Sequence, residues 1–439
     1  MTQSRPLKVL VSAHAFSPLK GSESAVGWNY VRAIASRHKV WLITEGPERE
    51  GKAVREATEE YFREHPDVMR NVSFHYVPWK CRPLEFLFDP IRGYAIYRNW
   101  QRRAYRLART LDEQIDFDLV HQLNCIGFRE PGYLWKLGKP FVWGPVGGLT
   151  FFPLRLLNAV PFRARPFFIL KNLSVAWSMY LARRPRLAAS RARAIFAATT
   201  SVASRIHMLC GREVAVSCEV STPELEDAAP AHRISGEPLQ IVWSGNCEPG
   251  KALNLVLLAL GQLEGSDLDW RLIAVGDGPL QGEWKALAHR LGISERCSFL
   301  GRLPRSEVLS VMRSGHCFVQ PSLYDATSTV IVEALAHGLP VICLDHMGFR
   351  DAVNDDCAIK IAPNRIDQVT RDFARAIESI GLDENRRYKM AMASQKASKR
   401  LTWNQKEEFV NELYSRIFPE MHLSTCQFVQ RVDELTDSR

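Results

Sequence analysis

Two series of short apolar runs, each alternating with longer stretches of helical periodicity, leave this chain few architectures to choose from. The first series is Leu7–Ala13, Lys39–Thr44, Val72–Val77, Leu119–Leu123, Pro140–Val146, Ala194–Ala198 and Val214–Val220. The second is Gln240–Ser244, Trp270–Val275, Cys297–Leu300, Cys317–Gln320, Pro340–Leu344 and Ala358–Ile361. Bounded by polar or turn residues, these runs read as buried strands. Helical stretches lie between them, such as Ser24–Arg37, with Ala25, Trp28, Val31, Ile34 and Ala35 near helical spacing, and the strongly basic Tyr97–Leu111. The alternation predicts an α/β protein with parallel sheets.

A chain of 439 residues exceeds what one core usually supports. The polar, proline-bearing stretch Ser221–Pro238 divides the two series as a linker would. We therefore expect two Rossmann-like, doubly wound domains, 1–222 and 223–400, facing each other across a cleft. A mixed-charge helix at 402–418, packing back on the first domain, and a polar tail at 419–439 complete the expected layout.

In such sheets ligands collect beyond the strand C-termini and at helix N-termini. The stretch Cys317–Asp345 has that form: an apolar run to Gln320, a turn of small residues, a helical segment Thr329–His337 stopped by Gly338, and a second apolar run. Thr327 or Ser328 is placed to cap the helix, which would leave the backbone N–H groups of Thr329 and Val330 for an anion such as a phosphate.

The formal net charge of +9 belongs mainly to the first half, because basic and acidic residues nearly balance over 231–400. No Asp or Glu occurs between Glu130 and Glu213, while Arg155, Arg163, Arg165, Lys171, Arg183, Arg184, Arg186, Arg191, Arg193 and Arg205 do. With Phe151, Phe152, Phe162, Phe167, Phe168, Trp177 and Tyr180 interleaved, this block points to contact with anionic lipid, or to a solvated basic face over buried aromatics. No nucleic-acid-binding module accompanies it. No apolar span approaches the roughly 20 residues needed to cross a bilayer, and the N-terminus lacks the pattern of a signal peptide, so a cytoplasmic protein is expected. Ten cysteines without a CxxC pair argue against a disulfide framework or a zinc site. The Asp-x-Asp strings at 116–118 and 267–269 precede strands, the wrong end for a metal-nucleotide site, and no metal is assigned.

Asp325, seven residues and then Glu333-Ala334-Leu335-Ala336-His337-Gly338-Leu339-Pro340-Val341 resembles the acidic-x7-Glu signature of the retaining glycosyltransferases of family 4, which have the GT-B fold. The resemblance extends in order to Trp243–Lys251, Gly276-Asp277-Gly278-Pro279 and Phe299–Pro304. It implies transfer of a sugar from a UDP- or GDP-sugar, used as substrate with no separate cofactor, to a hydroxyl acceptor with retention. Saccharide or lipid-linked acceptors in polysaccharide or glycolipid synthesis are expected. A nucleotide-sugar epimerase of the same fold and a non-catalytic nucleotide-sugar or lipid-binding protein are the alternatives.

The resemblance gives Glu333 the ribose hydroxyls and Asp325 the donor sugar. Thr327, Ser328, Thr329 and Val330 take the sugar and phosphate, joined by Gly245 and Asn246. Lys251 neutralises the leaving diphosphate, with Arg302 as a helper. Gly276 and Gly278 are read either as a structural turn or as donor contacts. On the acceptor side it gives Gly21, Ser22 and Glu23 after the first strand and a cleft-facing His121; Gly147 and Gly148, in a loop after another strand, are read apart from the resemblance, either as lining the acceptor side of the cleft or as a rigid turn. Gly276–Pro279 is no dinucleotide fingerprint, since GxGxxG is absent and no helix is expected directly after it. The pattern departs at Asp325, where Glu is usual, at Thr327-Ser328, which replace an aromatic-Gly pair, and at Asn246, which stands where an Arg is usual.

Overall fold

The computed structural model describes residues 5–19, 22–45, 52–64, 66–79, 89–222 and 229–419. Two parallel sheets form. The first comprises β1 (Lys8–Ala13), β2 (Lys39–Thr44), β3 (Val72–Tyr76), β4 (Leu119–Asn124), β5 (Phe141–Val146), β6 (Ala194–Ala197) and β7 (Ala215–Val216), in the order β3-β2-β1-β4-β5-β6-β7. The second comprises β8 (Leu239–Ser244), β9 (Trp270–Val275), β10 (Cys297–Gly301), β11 (Cys317–Gln320), β12 (Val341–Leu344) and β13 (Ala358–Ile361), in the order β10-β9-β8-β11-β12-β13. Every pairing between these strands is parallel. The fold is α/β with two Rossmann-like domains.

The order in which strands are added to each sheet reverses between its first and fourth strands, β1 and β4 in one, β8 and β11 in the other. Crevices open beyond the strand ends at such switch points. The four loops that follow these strands are therefore the ones that can share a site.

One departure from the expected layout lies at the domain boundary. The run Val214–Val220 keeps only Ala215–Val216 as strand. After it the chain turns toward the second domain, and Thr222 forms an isolated parallel bridge with Thr402. Thr402 caps the closing helix Trp403–Ile417 by accepting from the Gln405 N–H. Val410, Tyr414 and Ile417 of that helix are buried in one cluster with Val9, Val11 and Val31 of the first domain.

The basic block also differs from a free surface. Phe152, Leu156, Ala159, Val160 and Phe168 are buried in the core of the second domain with Leu253, Val256 and Phe373. The segment is thus an arm that crosses from the first domain, and polar contacts fix it: Asn254 Nδ2 donates to the Ala159 carbonyl at 2.9 Å, and His346 Nε2 lies 3.1 Å from the Phe151 carbonyl. Sequence alone hid this because aromatic residues among arginines look the same whether their partner is lipid or a neighbouring domain. The helix Arg165–Tyr180 continues the arm.

Candidate functional site

The loops after β1 and β4 are joined by polar contacts. Asn124 Nδ2 donates to the Ala15 carbonyl at 2.9 Å and to the Glu23 carbonyl at 3.1 Å. The Glu23 carboxylate in turn accepts from the Ile126 N–H at 3.3 Å. Gly27, on the first helix Ser22–Ala35, permits this closeness, because a Cβ there would sit 2.1 Å from the Ala15 carbonyl oxygen. Burial pushes the Glu23 carboxyl up, and its second oxygen is buried with no hydrogen-bond partner among the described residues. Ser22 begins the helix, and Gly21 lies outside the described residues. Gly147 and Gly148 pack behind the β4 loop: the Gly147 N–H donates to the Ile126 carbonyl at 2.6 Å, and a Cβ on Gly148 would lie 3.3 Å from Gly127 Cα.

In the second domain the loop after β8 lies directly on the loop after β9. The Cys247 N–H donates to the Asp277 carbonyl at 2.9 Å, and the Leu280 N–H donates to Cys247 at 2.9 Å. Gly276 has φ 130° and Gly278 φ 152°. A Cβ on Gly276 would fall 1.8 Å from the Gly245 carbonyl oxygen, and one on Gly278 would fall 2.9 Å from Cys247 backbone atoms. These glycines are needed for the approach of one backbone to another. Contrary to expectation, a helix does open close behind them, at Gln281–Arg290. Gly245 is half-buried against Trp243 and the Lys251 stem, and Asn246 is exposed.

The loop after β11 carries Asp325, whose carboxylate pairs with Lys251 Nζ. Its Oδ1 also accepts from the Ala326 N–H at 3.0 Å, which stiffens the turn. The helix Thr329–Ala336 follows, with Ser328 at its cap position. Neither Thr327 nor Ser328 supplies a side-chain cap. Thr327 instead packs beneath Gly348, where a Cβ would come within 2.1 Å of its Oγ1. The acceptor for the Thr327 N–H comes from the other domain: Glu219 Oε1, at 2.6 Å.

These loops enclose a cavity of about 290 Å³ lined by Glu23, Val26, Ile126, Glu219, Val220, Lys251 and Asp325 through Val330. That is the low end of the size range of ligand pockets, roughly 300–1,000 Å³. Its wall includes the first residues of a helix, whose N–H groups lack intrahelical partners and carry the positive end of the helix dipole. The arrangement suits an anionic ligand bearing hydroxyls: N–H groups and an ammonium for the charge, carboxylates for the hydroxyls.

Glu333 lies one turn further along the helix and is nearly buried, held by Arg305 Nη2 at 2.7 Å. Burial raises its pKa and the guanidinium opposes that rise. Arg302 is exposed, so Arg305, the residue after the Phe299–Pro304 motif, is the cation that reaches the helix.

His121 does not face the cleft. It is fully buried on β4, every residue of which is buried, with Nδ1 2.7 Å from Tyr414 Oη and Nε2 2.9 Å from the Gly144 carbonyl. Both ring nitrogens are engaged away from the cavity, and burial lowers its pKa to about 4. It ties the closing helix to the first sheet.

Glu219 was not singled out in the sequence, although one signal was available. It is a lone carboxylate in the run Val214–Thr222, which reads as buried. Such a residue is almost never buried unless it is partnered.

Residues 226–397 match the family described as Glycosyl transferases group 1. The chain is 24% identical over 212 residues to a 2-deoxystreptamine glucosyltransferase of Streptomyces kanamyceticus, covering 46% of this chain and 53% of that protein. It is 28% identical over 194 residues to a D-inositol 3-phosphate glycosyltransferase of Nocardia farcinica, covering 43% and 42%. The matches thus span about half the length of these curated relatives. In structure it is similar to Anabaena Alr3699/HepE in complex with UDP, at a TM-score of 0.62 and 16% identity over 93% of this chain and 100% of that one. Residues 226–397 thus carry the pattern of group 1 glycosyl transferases, on the two-domain architecture of GT-B glycosyltransferases.

Proposed function

We propose that the chain transfers a sugar from a nucleotide-diphosphate sugar to a hydroxyl acceptor with retention of anomeric configuration. The observation that carries this reading is the pairing of Lys251 with Asp325 at the mouth of the helix Thr329–Ala336, in one cavity with Glu23 and Ile126 of the opposite domain. The donor diphosphate lies at the N–H groups of Thr329 and Val330 with Lys251 beside it. Asp325 accepts from sugar hydroxyls, and Glu333, oriented by Arg305, accepts from the ribose. As the anomeric C–O bond breaks, negative charge grows on the leaving diphosphate, where the ammonium and helix terminus stabilise it most. The acceptor oxygen bonds to the anomeric carbon on the same face, and its proton passes to a phosphate oxygen, so no protein nucleophile is needed. A UDP-sugar is the first donor to try, in keeping with the UDP and UDP-glucose bound in the HepE structures.

The acceptor is lipid-linked in this reading. Leu170, Leu173, Trp177 and Tyr180 project from one face of the arm helix, each more than half exposed, with Arg163 and Arg183 exposed near its ends. An apolar face with basic flanks fits the interface of an anionic membrane. Among the described residues no helix is long and apolar enough to cross one.

A screen of UDP- and GDP-sugars with lipid extracts tests the proposal. Donor-dependent glycosylation of a lipid is expected. Interconversion of the donor sugar without any acceptor would instead mark an epimerase.

A further inference from the structure

We infer that Glu219 is a positioning residue of the donor loop that takes up one proton when a nucleotide diphosphate enters the cavity. The inference rests on the donor-site reading above and adds a residue and a linked proton to it.

Glu219 belongs to the segment that leaves the first domain, yet it lines the cavity of the second-domain loop. Only 3% exposed, it accepts the Thr327 N–H at 2.6 Å, so its carboxylate occupies the very turn at which an anion would be received. The groups facing it come from four elements. Asp325 faces it from the donor loop and Cys218 from its own segment, with Sγ 4.0 Å from Oε2. Tyr30 does so from the first helix and Lys406 from the closing helix. Glu23 and Lys251 line the same cavity. Lys406 Nζ donates to Ser217 Oγ at 3.2 Å, and Lys251 is engaged with Asp325. Neither cation is in ion-pair contact with Glu219.

Burial raises the Glu219 pKa to about 7, with Asp325 adding to the rise and the Thr327 N–H opposing it. A diphosphate brings further negative charge into the same small space, which favours the neutral acid. A protonated carboxyl still accepts the Thr327 N–H through its carbonyl oxygen, so the loop keeps its position while the repulsion is removed. Donor affinity is then greatest below the pKa of the free protein and declines as pH rises through it, because each binding event above that pH must take a proton from solvent.

The test uses the full chain and two probes, UDP-glucose and GDP-glucose, whose diphosphate diesters keep a constant charge over the range. Binding is measured calorimetrically from pH 6 to 8 in buffers of different ionisation enthalpy. About tenfold weaker binding at pH 8 than at pH 6, with close to one proton taken up per donor at pH 8, is the expected result. Glu219→Gln keeps the acceptor for Thr327 and removes the titration, so its affinity should be level across the range. A wild-type affinity that is constant with no proton exchange, or a Gln variant that retains the slope, overturns the inference and leaves the donor site standing. If neither nucleotide sugar binds the wild type, the donor-site reading falls and this inference with it. The wild-type proton count decides the matter even if the variant does not fold.

Discussion

Arg305 Nη2 lies 2.7 Å from Glu333 Oε1, and the carboxylate it holds is nearly buried while the arginine is two-thirds exposed. The pair therefore serves to orient Glu333 rather than to stabilise the fold. Arg305→Ala removes the cation that opposes the rise burial causes in the Glu333 pKa, and with it the contact that aims the carboxylate at the ribose hydroxyls. Donor KM should rise about tenfold with little change in thermal stability, as read from steady-state kinetics beside a melting curve.

Lys251 sits on a short turn after β8 and is half-buried. Lys251→Ala should lower kcat by about 100-fold or more, since the lost charge acts on the leaving group. Single-turnover kinetics at saturating donor would show it. An unchanged kcat would remove Lys251 from the chemistry.

Gly348 is closely packed on the donor loop. A Cβ there would be 2.1 Å from Thr327 Oγ1 and 2.7 Å from the Ala326 carbonyl oxygen, which donates no space because it accepts the Gly348 N–H. Gly348→Ala should displace residues 326–328 and reduce kcat/KM at least about tenfold, as misplacement of a positioning segment does.

His121 contributes to stability instead. Its folded pKa, about 4, lies below the ordinary value of 6.5, so the unfolded chain binds its proton more readily. Stability is then full above pH 6.5 and is lost as pH falls toward 4, by an amount on the order of 3 kcal/mol for this residue. His38, lowered to about 4 as well, acts in the same direction. Chemical denaturation at pH 5 and pH 7 should show a smaller difference for His121→Asn than for wild type, with activity per folded molecule retained.

The arm helix offers a separable prediction. Leu173→Glu with Trp177→Glu places charge on its exposed face and should abolish flotation with anionic vesicles without altering nucleotide-sugar binding. Equal flotation of variant and wild type would remove this face from membrane contact.

The strands and the strand-loop-helix form of Cys317–Ala336 were legible in the sequence because buried parallel strands are apolar along their whole length and the spacing from Asp325 to Glu333 spans a loop and a helix start. What was not legible depends on contacts between distant segments. His121 is cleft-facing or buried according to where Tyr414, far along the chain, comes to rest. Glu219 lies in what reads as a strand until the chain crosses to the second domain and meets Thr327. Phe152 and Phe168 read equally as lipid-facing or as buried aromatics, and nothing local shows that the core they enter is that of the second domain. Local propensity carries no information about such partners.

The most direct test of the account is the anomeric configuration of the product, read by NMR from the transfer of a UDP- or GDP-sugar to its acceptor by the wild-type chain. The account predicts a product with the configuration of the donor, formed only when acceptor is present. A product of inverted configuration would contradict it.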